Sequence, residues 1–393
     1  MAVSPVIDDI KVIDTDTHVI EPADLWTSRL STKKWGNLVP HARWDDELQE
    51  EAWYFGDERL SATAGGAMAG WHEYPPKHPR RLADVDPALW SAPERLKRMD
   101  EYGIWAQVLY PNVAGFGMGK FLGLKNSELM LRCIQAYNDW QTEWASADPS
   151  RLLPMTALPF WDIEATCREV ERTAAAGHRG IIMAQQPDFF GLPMLADPHW
   201  DPLWATAQDV GQSVNFHIAS GDLSLIEKNI PSNGLHANYA SVGVSFFMGN
   251  ASTIATLICA GICHRFPRLN FVSVESGVGW IPYALAALDW QWKNCGVPLE
   301  HPEYDLLPSE YFQRQIHGCF WFENETAKQA IELLGADNIL YETDFPHPTS
   351  MSPGPATAAV RPDHFIEGAL SDLPRDVLRK ILHDNAARIY HLD

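Results

Sequence analysis

Val12-Ile13-Asp14-Thr15-Asp16-Thr17-His18-Val19-Ile20-Glu21-Pro22 decides the fold: a short β-branched run leads straight into acids and a histidine. Side chains of an extended chain alternate between faces, so a spacing of two places Asp14, Asp16 and His18 on one side, able to point at one cation. Glu21 follows at the same end. The bland alternative for a lone Asp-x-Asp-x-His is a polar loop with an Asp-rich turn, and the rest of the chain decides between the two.

Outward from that stretch, apolar strands alternate with amphipathic helices. The strands are WAQVLYPN (105–112), RLLPMTALPF (151–160), RGIIMAQQ (179–186), QSVNFHIASGD (212–222), RLNFVSVESGVGW (268–280), GCFWFENE (318–325) and NILYETDFPHP (338–348). Between them lie helical patterns such as SAPERLKRMDEYGI (91–104), with Pro93 in the first turn and Gly103 at the end, and DIEATCREVERTAAAG, closed by Gly177. A loop is expected from Asn229 to Gly249, and a helical region ends the chain. Eight strands without a polar face, each followed by a helix, argue for a parallel sheet closed into a (β/α)8 TIM barrel rather than an open doubly wound sheet. The chain carries neither the glycine fingerprint of a dinucleotide site nor a phosphate loop, so no nucleotide cofactor is expected.

One stretch breaks the alternation. Residues 22–90, rich in Trp, Pro and Gly, show no clear periodicity and read as an irregular insertion after the first strand, a cap over the mouth of a single domain spanning 1–393. Its tryptophans, Trp71 among them, are candidates for a substrate pocket; packing against the barrel exterior is the alternative.

At 46% hydrophobic and 21% charged, the 393 residues are ordinary globular material. The reading finds no uncharged apolar run of the roughly 18 residues that a membrane helix needs, nor a signal segment at the start. A cytoplasmic protein is expected. A net charge of -21 argues against nucleic acid as a partner. Six scattered cysteines without a C-x-x-C pair read as reduced, buried thiols, and Cys259, Cys263 and His264 as structural.

A barrel predicts where the chemistry lies, because active sites of this fold sit at the C-terminal strand ends. Asp16 and His18 end the first strand, His217 the fifth, Glu275 the sixth and Asp344 the eighth. A histidine such as His217, taken alone, is more often a hydrogen-bonded core residue. Carboxylates and imidazoles at four strand ends speak against that.

DTDTHVIEP, RLKRMDEYGI, NFHIASGD, ESGVGWIP, YETDFPHP and the terminal NAARIY together resemble the amidohydrolase superfamily, in the branch related to aminocarboxymuconate semialdehyde decarboxylase and γ-resorcylate decarboxylase. The resemblance implies a (β/α)8 barrel holding one or two divalent metals, with Asp16, His18, His217 and Asp344 at the ligand positions and Asp344 able to move a proton. It also favours a homo-oligomer or an assembly with a related subunit. Asp16-Thr17-His18 departs from the usual H-x-H or E-x-H, and Glu275 stands where relatives carry a catalytic histidine. No lysine ends the fourth strand, so Glu275 is the candidate bridge between two ions.

Two histidines among several carboxylates suit zinc, manganese or iron. His178, His236 and His347 are secondary candidates, with His347 turned towards Asp344 by its flanking prolines. Two enzymatic readings follow. One is a metal-dependent hydrolase or non-oxidative decarboxylase of a small carboxylated or carbonyl substrate; the other is an oxygen-activating dinuclear iron or manganese hydroxylase. A barrel that keeps a metal only for structure is the non-catalytic alternative.

Overall fold

The computed structural model describes residues 4–113, 119–222 and 230–392. Its strands are β1 (Val12–His18), β2 (His41–Asp45), β3 (Glu50–Phe55), β4 (Glu58–Ala62), β5 (Ile104–Tyr110), β6 (Leu152–Ala157), β7 (Gly180–Ile182), β8 (Ser213–His217), β9 (Phe271–Val274), β10 (Ile316–Phe320) and β11 (Ile339–Tyr341). β1 and β5 to β11 form one eight-stranded sheet in chain order, every pairing parallel. These are the eight strands that the apolar runs predict.

The ends of that sheet meet just beyond β11. The Asp344 N–H donates to Asp16 O (2.9 Å) and the His18 N–H to Phe345 O (2.7 Å), closing the barrel. Ile13, Val108, Leu153, Met155, Val272 and Leu340 belong to the inner core, and a larger cluster packs the helices onto the outside of the sheet. The principal helices are α1 (Ala92–Tyr102), α2 (Ser127–Ala145), α3 (Ile163–Ala175), α4 (Asp201–Val210), α5 (Leu235–Ser245), α6 (Phe247–Cys259), α7 (Ile281–Asn294), α8 (Pro308–Gln315), α9 (Glu325–Leu334) and α10 (Pro362–Leu370). Gly103 closes α1 in the left-handed region, where a Cβ would strain the turn, while Asn126 and Asp162 accept N–H bonds at the starts of α2 and α3.

Several expectations need correction. The insertion is not irregular throughout, because β2, β3 and β4 pair as an antiparallel sheet. Trp53 and Phe55 are buried on β3, yet charged residues interrupt the alternation and conceal the strands from a periodicity reading. The segment expected as a loop carries α5; its first residue, Asn229, lies outside the described residues. Leu235–Cys259 is also uncharged and, by length and composition, long enough to cross a membrane, against the expectation of no such run. Its second half is a barrel helix, with Thr253, Ile254, Leu257 and Ile258 buried. All six cysteines are free, but Cys259 and Cys295 are exposed rather than buried.

Candidate metal centre

β1 bends before it reaches the mouth. Its register against β5 shifts between Asp14 and Thr17, so one extra residue stands on β1 at this point. The shift puts Asp14 out of the site. Its carboxylate accepts from Gln107 Nε2 (3.1 Å), Thr343 N–H (2.8 Å) and Thr343 Oγ1 (2.6 Å), and it feels the buried Arg95. Burial, opposed by the Thr343 bonds, lifts Asp14 to about 7. The expectation that Asp14 shares a face with Asp16 fails because strict alternation does not survive a bulge.

Asp16 and His18 face inward. His18 Nδ1 lies 3.1 Å from Pro111 O and His217 Nδ1 3.0 Å from Ile218 O, so each ring gives its Nδ1 proton to a carbonyl. Both Nε2 atoms then present lone pairs, 3.1 Å apart. Around them stand Asp16 Oδ1, 3.4 Å from His18 Nε2, and Asp16 Oδ2, 3.6 Å from His217 Nε2. Asp344 Oδ1 is 3.7 Å from His18 Nε2, and Glu275 Oε2 is 3.4 Å from His217 Nε2. Both oxygens of Asp16 are buried without a hydrogen-bond donor, and Asp344 is buried with His347 Nδ1 2.9 Å from its Oδ1. Buried carboxylates in this setting call for a cation, and Asp16, His18 and His217 lie close enough to share one, as do Asp16, Glu275 and Asp344.

Electrostatics within the cluster agree with that need. Burial would raise Asp16, but the neighbouring His217 and His18 outweigh it and hold the acid low. Burial depresses His217, yet Asp16 and Glu275 reverse the shift and raise it. Glu275 is pushed up to about 8, chiefly by burial, and Asp344 well above the usual carboxylate range by burial beside Glu275 and Asp16. More negative charge converges here than two imidazoles can neutralise.

Glu275 and Asp344 share a further feature: both have left-handed backbones, φ +56° and +58°. A non-glycine residue held there stores of order 1–3 kcal/mol, a strain that gathers at functional sites. Glu342, which sequence reading missed, supports one of them. Its Oε2 accepts the Glu275 N–H at 3.1 Å, and its Oε1 is buried without a partner. The available signal was a second acid in YETD, two residues before Asp344 and just past the apolar run of the last strand.

The amidohydrolase family matches residues 13–392 of this chain. The chain belongs to that family. This amidohydrolase is 25% identical to γ-resorcylate decarboxylase from Polaromonas sp. over 265 residues, 64% of the chain and 76% of the relative. In fold it resembles an amidohydrolase from Mycobacterium avium subsp. paratuberculosis, with a TM-score of 0.76, 23% identity and coverage of 97% and 99% of the two chains. It also resembles 5-carboxyvanillate decarboxylase from Novosphingobium aromaticivorans, solved with bound manganese, with a TM-score of 0.67, 18% identity and coverage of 98% of each chain.

The remaining candidates of the amidohydrolase separate clearly. His347 joins the cluster: its ring stacks on His18 with centroids 3.6 Å apart, Nδ1 lies 2.9 Å from Asp344 Oδ1, and Nε2 lies 2.5 Å from Asn112 Oδ1. Glu21 accepts the N–H groups of Asn112 (2.8 Å) and Val113 (3.2 Å) at the edge of the site. His178 lies elsewhere, bonded to Thr142 (2.9 Å) and Thr156 (3.1 Å). His236 is exposed and holds Pro75 O at 2.8 Å, tying α5 to the insertion. Trp71 lines a small niche beside His347 and Thr349, next to the main pocket. That pocket has a volume of about 1140 Å³ and opens onto Glu275 and His347. Its walls include Tyr239, also missed from sequence, whose phenol is raised to about 12 by burial and by Glu275 and Asp344.

Proposed function

We propose that this amidohydrolase is a metal-dependent non-oxidative decarboxylase of a carboxylated aromatic substrate. One observation carries the reading: two Nε2 atoms 3.1 Å apart beside the buried carboxylates of Asp16 and Asp344, next to an aromatic-walled pocket lined by Glu275 and His347. Asp16, His18, His217 and Asp344 would hold the ion, with Glu275 beside His217. Manganese suits this oxygen-rich donor set, and it is the ion named with the 5-carboxyvanillate decarboxylase above. When bound, the ion supplies Lewis-acid anchoring of the substrate oxygens.

The chain's own residues then have defined tasks. Decarboxylation breaks the bond between ring carbon and carboxylate carbon; the electron pair stays on the ring, the ring carbon takes a proton, and carbon dioxide leaves. Asp344 faces the site from the turn after β11, beside His18 and Glu275, where its carboxylate would pass a proton to the ring carbon. Trp280, Trp321 and Phe247 line the pocket and would position the ring while keeping water from the carbanion.

The oxygen-activating reading rested on Glu275 as a bridge; the named relatives of known activity are decarboxylases, so it is not carried further. The test is carbon dioxide release by manganese-loaded protein from γ-resorcylate, with metal content measured alongside. Asp344→Asn should lose at least ~100-fold in rate, the usual contribution of a positioned acid, with metal content separating loss of the ion from loss of the proton carrier. Full activity in that variant sinks the proton-donor role, and cleavage of esters without carbon dioxide release assigns hydrolysis instead.

A further inference from the structure

The pocket above the donors has a composition unlike a site for a small polyanion. Among the described residues its lining carries no lysine and no arginine. Three carboxylates reach it, and the protein already engages each of them. Glu21 takes two backbone N–H groups, at 2.8 and 3.2 Å. Glu323 takes those of Val278 and Gly279, both at 2.8 Å. Glu275 faces His217 at 3.4 Å. The rest of the wall is largely apolar or aromatic, with Trp53 from the insertion, Tyr239, Val244 and Phe247 from α5 and α6, and Trp280 and Trp321 from beyond β9 and β10.

Volume points the same way. About 1140 Å³ lies just above the roughly 300–1,000 Å³ typical of sites for drug-sized ligands, far more than a single benzene ring fills. Among the described residues of the wall, a second carboxylate on the substrate would meet carboxylates and aromatic faces and no side-chain cation. A cationic substrate would find no spare anion, since each acid is engaged.

We infer that the site takes a bulky apolar monocarboxylate, its one carboxylate directed at the metal-binding floor and an apolar body of two rings or more against the wall formed by α5, α6 and the insertion. This substrate class rests on the decarboxylase reading of the floor, but the wall can be tested on its own. Trp53, Trp280 and Trp321 make tryptophan fluorescence a direct reporter of occupancy.

Manganese-loaded protein is titrated with benzoate, biphenyl-4-carboxylate, isophthalate and benzyltrimethylammonium, and carbon dioxide release is followed separately. Biphenyl-4-carboxylate should bind at least about tenfold more tightly than benzoate, from the apolar area of its second ring. Isophthalate should bind more weakly than benzoate. Val244→Arg places a cation on α5, where no residue is buried and folding is therefore undisturbed. It should tighten isophthalate about tenfold and weaken biphenyl-4-carboxylate. No gain from benzoate to biphenyl-4-carboxylate, isophthalate as tight as the biphenyl acid, or tightest binding of the ammonium ion each overturns the inference, and so does a Val244→Arg protein with unchanged affinities. Tight biphenyl binding without carbon dioxide release from any acid removes the decarboxylase reading and leaves the ligand class standing. Turnover of γ-resorcylate with no binding of the biphenyl acid does the reverse.

Discussion

Asp14 and Asp16 are two residues apart, chemically identical and both buried, yet they do different work. Asp14 is saturated with donors from Gln107 and Thr343, whereas Asp16 has none. Asp14→Asn should therefore lower stability by about 1–3 kcal/mol, the usual consequence of disrupting buried hydrogen bonds, and leave metal content unchanged. Asp16→Asn and His217→Ala should instead abolish metal retention. Elemental analysis beside thermal melts separates the two classes, and a metal-free Asp14→Asn protein would return Asp14 to the ligand set. The sequence could not distinguish these acids, because a one-residue bulge leaves no mark in a pattern of alternating Asp and Thr. His178 gives a prediction in pH. Burial holds it down to about 4 against an ordinary 6.5, so the unfolded chain takes up a proton that the folded chain refuses. Its contribution is full above pH 6.5 and is lost as the pH falls towards 4, by at most about 1.4 kcal/mol per pH unit. His178→Gln should flatten the melting curve's pH dependence over that window; an identical dependence refutes the assignment.

Elements differ in how openly the sequence announces them. The eight barrel strands were legible because strands covered on both faces are continuously apolar, and His217, Glu275 and Asp344 stood out because each lies at or within three residues of the end of such a run. The insertion was not, since the sheet of β2, β3 and β4 mixes Glu, Arg and Asp with its aromatics. α5 was hidden for the opposite reason: it buries nothing, so it shows no stripe. The insertion is anchored close to the chemistry, with the N–H groups of Met68 and Ala69 donating to Pro346 O at 2.9 and 3.1 Å. Trp71, half-buried in the niche beside His347, should pass a change on to the site. Trp71→Ala is expected to raise KM several-fold while shifting Tm by only a few degrees. A large fall in Tm with unchanged kinetics would mean that the ring only packs.

At the scale of the whole molecule, the donors come from β1, the end of β8, the turn after β9 and the turn after β11, so one bound ion would tie together segments more than three hundred residues apart. An ion that binds only the closed barrel stabilises it by mass action, about 4 kcal/mol at a thousand times its Kd. Added manganese should raise Tm with concentration, chelator should reverse the rise, and His217→Ala should show neither effect. If Tm ignores manganese in the parent protein, the donors do not form a site in the closed barrel.

The seam where Asp344 bonds to Asp16 and His18 to Phe345 also fixes a sequence of events during synthesis. A ribosome that has released the first three hundred residues has already delivered Asp16, His18, His217 and Glu275, but the clasp that gathers them is still unmade. Asp344 can therefore join these donors only after the last strand has emerged and met the first.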